Sequence, residues 1–101
     1  MATLQYTVYD NAAATPQGPV LAEGTLEIVG SSARTASAIY PTGGNRAMAV
    51  RISVDRDCFV NWGDADVVAT NDGAGGRLMF ANSWEYPRIT ANQYIAVIEK
   101  V

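Results

Sequence analysis

Apolar and polar residues alternate along much of this chain, in short runs separated by turn-forming residues. The clearest run is Ala47–Val54, in which every second residue is a large apolar one: Met48, Val50, Ile52 and Val54. Strict alternation is typical of a β-strand with one buried face, whereas an amphipathic helix repeats every three to four residues. The run therefore predicts a strand with its even-numbered side chains in the core.

Similar runs predict about eight strands in all. They are Thr3–Tyr9, Gly24–Val29, Ala33–Ile39, Ala47–Val54, Asp57–Trp62, Arg77–Phe80, Trp84–Tyr86 and Gln93–Ile98. Short strands recurring every 8–12 residues or so, with turn chemistry between them, are typical of a sandwich or a barrel. We predict an all-β fold, a small antiparallel β-sandwich that is jelly-roll-like, formed by residues 1–101 as a single domain. A closed barrel stays open as an alternative.

Turn-forming residues mark the connections between these strands. Asp55 and Arg56 predict a tight hairpin turn between the fourth and fifth strands, and Pro41–Asn45 predicts a sharp break. In the fifth strand Cys58, Val60 and Trp62 form the predicted inward set. The glycine-rich run from Asn71 to Gly76 predicts the most flexible segment of the chain.

The composition is poor in charge. Of the 101 residues, 49% are hydrophobic and 17% are charged, whereas about 25% charged is usual for a soluble domain. One interpretation is that part of the surface is covered by a partner. The other is that Ser, Thr, Asn and Ala replace charged residues on a β surface, and composition does not decide between the two.

The charge pattern disfavours nucleic acid and membrane as partners. The net charge is −3, and the seven basic residues are scattered singly, whereas phosphate binding needs clustered Lys and Arg. No apolar run approaches the roughly 20 residues of a spanning helix. The start of the sequence lacks the pattern of a secretory signal, and the single cysteine, Cys58, agrees with a reducing compartment. We expect synthesis and folding in a cytoplasm.

Residue types for catalysis are scarce. The chain has no histidine, the commonest general base and metal ligand. Cys58 lies mid-strand with no base to activate it, and the spacing of Asp64, Asp66 and Asp72 departs from that of an EF-hand loop. The glycine-rich run lacks the Lys-Ser/Thr ending of a phosphate-binding loop. We predict a non-enzymatic protein with no catalytic, cofactor-binding or metal-binding residues.

Aromatic residues are the remaining binding candidates. Trp84 and Tyr86 stand two apart and so share one face of a predicted strand, which makes them candidate anchors against a neighbouring subunit. Leu4 and Tyr6 of the first strand are further candidate interface residues, as is the loop from Thr70 to Gly76. The alternative is that Trp62, Trp84, Tyr86 and Tyr94 form a platform on which sugars stack.

The second half of the chain resembles a group of short virion proteins of tailed bacteriophages. The resemblance runs over about residues 33–98 and is carried by five segments: Ala49–Val54, Asp57–Gly63, Leu78–Phe80, Glu85–Tyr86 and Tyr94–Ile98. The segments form a pattern of strands and turns without a catalytic signature. The first strands, Leu4 to Tyr9 and Leu26 to Val29, match nothing in that group.

The resemblance implies a structural subunit of a virion, made in the cytoplasm of the bacterial host. The expected function is that of a capsid decoration (cement) protein, which binds the major capsid protein or other virion proteins as a homotrimer or homodimer and stabilises the head. Two alternatives stay open. One is a tail or head-to-tail accessory or receptor-binding protein, and the other is a carbohydrate-binding β-sandwich module.

Overall fold

The computed structural model describes residues 2–10, 19–72 and 75–100. Within these ranges the chain forms one short 3₁₀ turn, Pro41–Gly43, and nine β-strands. The strands are β1 (Thr3–Tyr9), β2 (Val20–Glu27), β3 (Ala33–Arg34), β4 (Ala47–Val54), β5 (Cys58–Gly63), β6 (Arg77–Met79), β7 (Ser83–Glu85), β8 (Arg88–Thr90) and β9 (Tyr94–Glu99). In the described part of the chain no helix is long and apolar enough to cross a membrane.

The strands form two antiparallel sheets packed as a β-sandwich, as the sequence predicts. Sheet A has the order β2-β1-β4-β7, and β8 also pairs with β4 beside β7. Sheet B has the order β3-β9-β5-β6. All seven strand pairings are antiparallel.

The pairings follow the plan of a long hairpin rolled into two sheets, which is the plan of a jelly roll. From the closed end of that hairpin outward, β5 pairs with β6, β4 with β7 and β8, and β3 with β9. The last pair is β2 with β1, so β2 takes its partner from the preceding strand of the chain. This arrangement places β1 between β2 and β4, in the middle of sheet A.

The core lies between the inner faces of the two sheets. The predicted inward residues of β4 are all there, with Met48, Val50, Ile52 and Val54 at most 4% exposed. From sheet B, Cys58 and Val60 are buried, and Trp62 packs against the core while partly exposed. Burial of each large aliphatic side chain stabilises the folded state by about 1.5–3 kcal/mol relative to leaving it in water. Because these side chains alternate along each strand, the side that carries them is the side that faces inward.

Two sequence predictions about elements are wrong, and the structure has one strand more than the sequence predicts. Asp55 and Arg56 form a tight bend but not a hairpin, because β4 pairs in sheet A and β5 pairs in sheet B. The predicted third strand, Ala33–Ile39, is only Ala33–Arg34 in the structure. Beyond Arg34 the backbone makes isolated hydrogen bonds to β9 and the residues before it, donated by the N–H groups of Thr35, Ile39 and Tyr40, rather than a continuous ladder. A ninth strand, Arg88–Thr90, was not expected.

The connection from β5 to β6 covers part of the outer face of sheet B. Ala69 packs there against Ala96 and Ile98 in a small second cluster, with Phe59 and Val67 beside it. The described part of this connection is tied down: the Asn61 amide donates to the Val68 carbonyl over 3.0 Å, and the Ala69 N–H donates to the Ser32 hydroxyl over 2.9 Å. Residues 73–74 of the glycine-rich run lie outside the described residues.

Candidate functional site: the two outer faces of the sandwich

The outer face of sheet A consists of side chains brought into rows by the strand register. One row crosses the sheet as Thr25, Gln5, Ser53 and Trp84. The next runs Glu23, Thr7 and Arg51. Because β7 and β8 pair with β4 in one continuous register, Tyr86 falls opposite Arg51 and completes that row. The face is therefore polar in its middle and aromatic along the β7 edge.

Trp84 and Tyr86 are the large aromatic side chains at the β7 edge of this face, and both stay in contact with solvent. Trp84 is 56% exposed and Tyr86 is 43% exposed. The guanidinium carbon of Arg51 lies 5.8 Å from the centroid of the Trp84 ring, within range of a cation–π contact. At an exposed site such a contact contributes about 0.5–1 kcal/mol and favours the ring orientation seen here.

A shallow depression of about 330 Å³ lies beside Trp84. Its walls come from β1, β4 and the turn that leads into β7, and the lining residues are Thr3, Gln5, Ser53, Val54, Asp55, Asn82, Ser83 and Trp84. The turn is held in place because the Asn82 N–H donates to the Val54 carbonyl over 2.8 Å. Asn82 has a φ of 64°, a left-handed conformation that Asn adopts more readily than most residues.

Charges on the outer face of sheet A are mixed in sign. Glu23 and Glu27 lie on β2, Asp55 lies at the end of β4, and Arg51 and Arg88 lie near the β7 edge. One Asp55 oxygen accepts the Thr3 N–H over 2.7 Å. A face with three acids and two bases does not attract polyanions, since that attraction depends on an excess of positive charge.

The outer face of sheet B has an apolar patch at its β6 edge. Leu78 pairs with Phe59, so both side chains point away from the core, and Leu78 is 37% exposed. Phe80 follows β6 and is 60% exposed, the largest exposed fraction among the large hydrophobic residues that the structure describes. We call Leu78 and Phe80 the β6 patch, because Phe59 beside Leu78 is partly covered by the connection from β5 to β6. Leu78 lies on the side of the sandwich opposite Trp84.

The segment that carries these exposed side chains has the composition of a protein interface. Among the described residues, four of the six exposed large hydrophobic ones lie between positions 78 and 86: Leu78, Phe80, Trp84 and Tyr86. Residues 77–88 also contain Arg77 and Arg88 and a single acid, Glu85. Glu85 accepts from Arg77 over 2.6 Å. Interfaces are enriched in aromatic residues, Met and Arg and depleted in Lys and acids.

The four predicted interface residues are divided between two sides of sheet A. Trp84 and Tyr86 share the outer face, as predicted from their spacing. Leu4 is 0% exposed in the core, so the prediction that its side chain contacts a partner is wrong. Tyr6 packs partly buried against the core, where burial raises the pKa of its hydroxyl. The first strand is also central, so its backbone is not a free edge.

The polar residues considered for chemistry are dispersed in the structure. Cys58 is buried at 0% exposure. Burial, with the charges of Asp57 and Asp55, raises the pKa of its thiol to about 12. Asp64 accepts the Asp66 N–H in a local turn, and in the described ranges no three His, Cys, Asp or Glu side chains form a group that could hold a metal ion.

Sequence reasoning missed the β6 patch. Leu78 and Phe80 were placed on a strand, but their exposure depends on that strand being the edge of sheet B, which the local pattern does not show. Ala81 and Asn82, which follow directly, predict a turn and were the available signal.

Comparison of the chain with protein-family models, with curated proteins and with solved structures gives no match.

Proposed function

We propose that this chain is a non-enzymatic structural protein of a virion, a capsid decoration protein that docks on the major capsid protein through the β6 patch. The observation that carries the proposal is the exposure of Leu78, on the edge strand β6 of sheet B, and of Phe80, which follows that strand directly. Removing such side chains from water stabilises an interface at roughly 25 cal/mol per Å² of apolar area.

The sandwich supports this proposal by its architecture. Jelly rolls are frequent among viral capsid domains as well as lectins, and the resemblance of residues 33–98 to short phage virion proteins points the same way. A decoration protein gains affinity from buried area and from the symmetric repetition of its sites on a shell. Such a protein needs a rigid apolar surface and no reactive side chain.

Binding to capsids tests the docking surface. Purified protein is mixed with expanded capsids of the phage that encodes it, and bound protein is measured after sedimentation. We expect Phe80→Asp and Leu78→Asp each to reduce binding at least tenfold, because a buried unpaired carboxylate is costly. The matched control is Val20→Asp, which changes another hydrophobic residue, 53% exposed, on β2 at the far edge of sheet A. Equal loss in all three variants, or no binding by the wild type, contradicts the proposal.

Stoichiometry distinguishes the decoration role from a tail or head-to-tail role. A decoration protein is present in hundreds of copies per particle, whereas a tail component is present in a handful. Light scattering after size-exclusion chromatography gives the solution mass, and we expect a homotrimer or homodimer that places the chain on a three-fold or two-fold position of the shell. A monomer contradicts the preassembled oligomer but leaves the capsid-binding test in force.

A further inference from the structure

Trp84 and Tyr86 form a two-ring surface on a polar sheet. They are two residues apart on one edge, which separates them by about 7 Å along the strand. Both are close to half exposed or more, and the Arg51 guanidinium lies over the Trp84 ring. We call Gln5, Arg51, Ser53, Trp84 and Tyr86 the Trp84 face. It is separate from the β6 patch, because Leu78 lies on sheet B and neither Leu78 nor Phe80 lines the depression beside Trp84.

The chemistry around Trp84 fits a sugar ring. A pyranose has one face of C–H groups, which pack well on the electron-rich face of an indole, and a rim of hydroxyl groups that both donate and accept hydrogen bonds. The depression beside Trp84 has amide and hydroxyl side chains on its walls, from Gln5, Ser53 and Asn82. These groups can pair with sugar hydroxyls in either direction.

The shape and charge of the depression narrow the class of sugar. Its volume of about 330 Å³ is at the low end for ligand pockets. Tyr86 lies outside the depression, two residues from Trp84 on the same face, so the pair of rings suits a chain of sugar units better than one enclosed molecule. Asp55 in its wall and Glu23 on the same face disfavour anionic sugars and nucleotides. Arg51 is held by its contact with the Trp84 ring and does not by itself make the face basic.

We propose that the Trp84 face is a binding site for a neutral polysaccharide chain, with one sugar unit stacked on Trp84 in the depression and a neighbouring unit on Tyr86. Gln5, Ser53 and Asn82 pair with the hydroxyl groups of the first unit. The site does not depend on the proposed docking through the β6 patch, because the two surfaces share no residue.

The test follows the indole N–H of Trp84 by NMR while neutral hexasaccharides are added. The probes are maltohexaose, cellohexaose and the hexamer of N-acetylglucosamine, each up to 10 mM. We expect at least one probe to shift the Trp84 signal in a saturable way, with a dissociation constant on the order of 1 mM or below. The Trp62 indole, which packs against the core, serves as an internal reference and stays in place.

Variants decide whether the shift reports this site. Trp84→Ala abolishes binding in affinity electrophoresis, Tyr86→Ala and Gln5→Ala weaken it at least fivefold, and Phe80→Ala, which removes an exposed aromatic side chain outside the lining of the depression, leaves it unchanged. If Trp84→Ala loses the native circular dichroism spectrum, the Tyr86 and Gln5 variants carry the test. Silence of the Trp84 signal with all three probes overturns the proposal, and so does an equal loss on Phe80→Ala.

Discussion

Cys58 shows how a single residue acquires its chemistry from its position. It stands on the inner face of β5 at 0% exposure, between Asp57 and Phe59 in the chain. Burial is the main reason that the pKa of the thiol rises from 9.0 to about 12, and the negative charges of Asp57 and Asp55 add smaller contributions in the same direction. Since the thiolate is the reactive species, this thiol is inert in the folded protein.

The raised pKa predicts a loss of stability in alkali. Below pH 9 both the folded and the unfolded state hold the Cys58 proton. Between pH 9 and about 12 the unfolded state releases it first, so the free energy of unfolding falls as the pH rises. Urea denaturation at pH 7.5 and pH 10.5 measures this fall, and we expect it to be smaller in Cys58→Ala. Part of the fall remains in the variant, because Tyr6 also has a raised pKa.

A thiol reagent supplies an independent reading of Cys58. We expect Ellman's reagent at pH 8 to leave the folded protein unmodified and to react with one thiol per chain in 6 M guanidinium. Rapid reaction of the folded protein contradicts the burial of Cys58 and, with it, the alkaline prediction.

Two glycines differ in what a methyl group would meet. A Cβ at Gly43 would lie 2.5 Å from the Ala91 Cβ and 2.7 Å from the Tyr40 ring, whereas a Cβ at Gly30 would meet nothing within 4 Å. We expect Gly43→Ala to destabilise the fold by about 1–3 kcal/mol through overpacking, and Gly30→Ala to change stability by less than about 0.5 kcal/mol. Thermal denaturation of both variants checks the difference, and equal melting temperatures contradict it.

At the scale of elements, the connection from β5 to β6 is held on sheet B by a few hydrogen bonds. The Ala69 N–H is nearly excluded from water and donates to the Ser32 hydroxyl, and Thr70 Oγ1 accepts the Gly75 N–H over 2.9 Å. The Arg34 guanidinium donates to the Ala65 carbonyl and stacks over the Tyr94 ring with its central carbon 4.7 Å from the centroid. These contacts explain how a segment rich in glycine and small residues covers Phe59 and Ile98.

Removal of the Ser32 hydroxyl tests that cover. We expect Ser32→Ala to lower the free energy of unfolding by about 1–3 kcal/mol, because it leaves a buried N–H without its acceptor. Hydrogen exchange should also accelerate at Ala69 and its neighbours while the β4 amides stay protected. The control is the exposed neighbour Ser31→Ala. If both serine variants behave like the wild type, the hydroxyl does not hold the connection.

The sequence predicts individual strands better than their partners. The alternation of β4 identifies its inward side chains because alternation depends only on which side is buried. The turn at Asp55 and Arg56 does not show whether the next strand stays in the same sheet. The alternation after Ala33 does not show where β3 ends, because a strand of two residues is too short to have a pattern of its own. The candidate site divides in the same way: the shared face of Trp84 and Tyr86 follows from spacing, whereas the exposure of Phe80 depends on the position of β6 at an edge.

At the scale of the molecule, β9 is the strand on which sheet B depends. It lies between β3 and β5, and four of its six residues are buried. Within the described residues β3 has no other strand partner. We expect a chain ended after Thr90 to show neither a cooperative urea transition nor dispersed amide signals in NMR. A folded truncated chain would show that sheet A, with its own pairings, is stable alone.

The position of β9 has a consequence for the chain as it leaves the ribosome. The hairpin of β1 and β2 and its partner β4 emerge early, so sheet A can begin to assemble while translation continues. Sheet B has to wait for β9, because without that strand β3 has nothing to pair with and β5 has only β6. During that interval the inner face of sheet A is uncovered. The nascent protein is therefore more exposed to aggregation and proteolysis until β9 is released, and the two sheets become rigid together only after that moment.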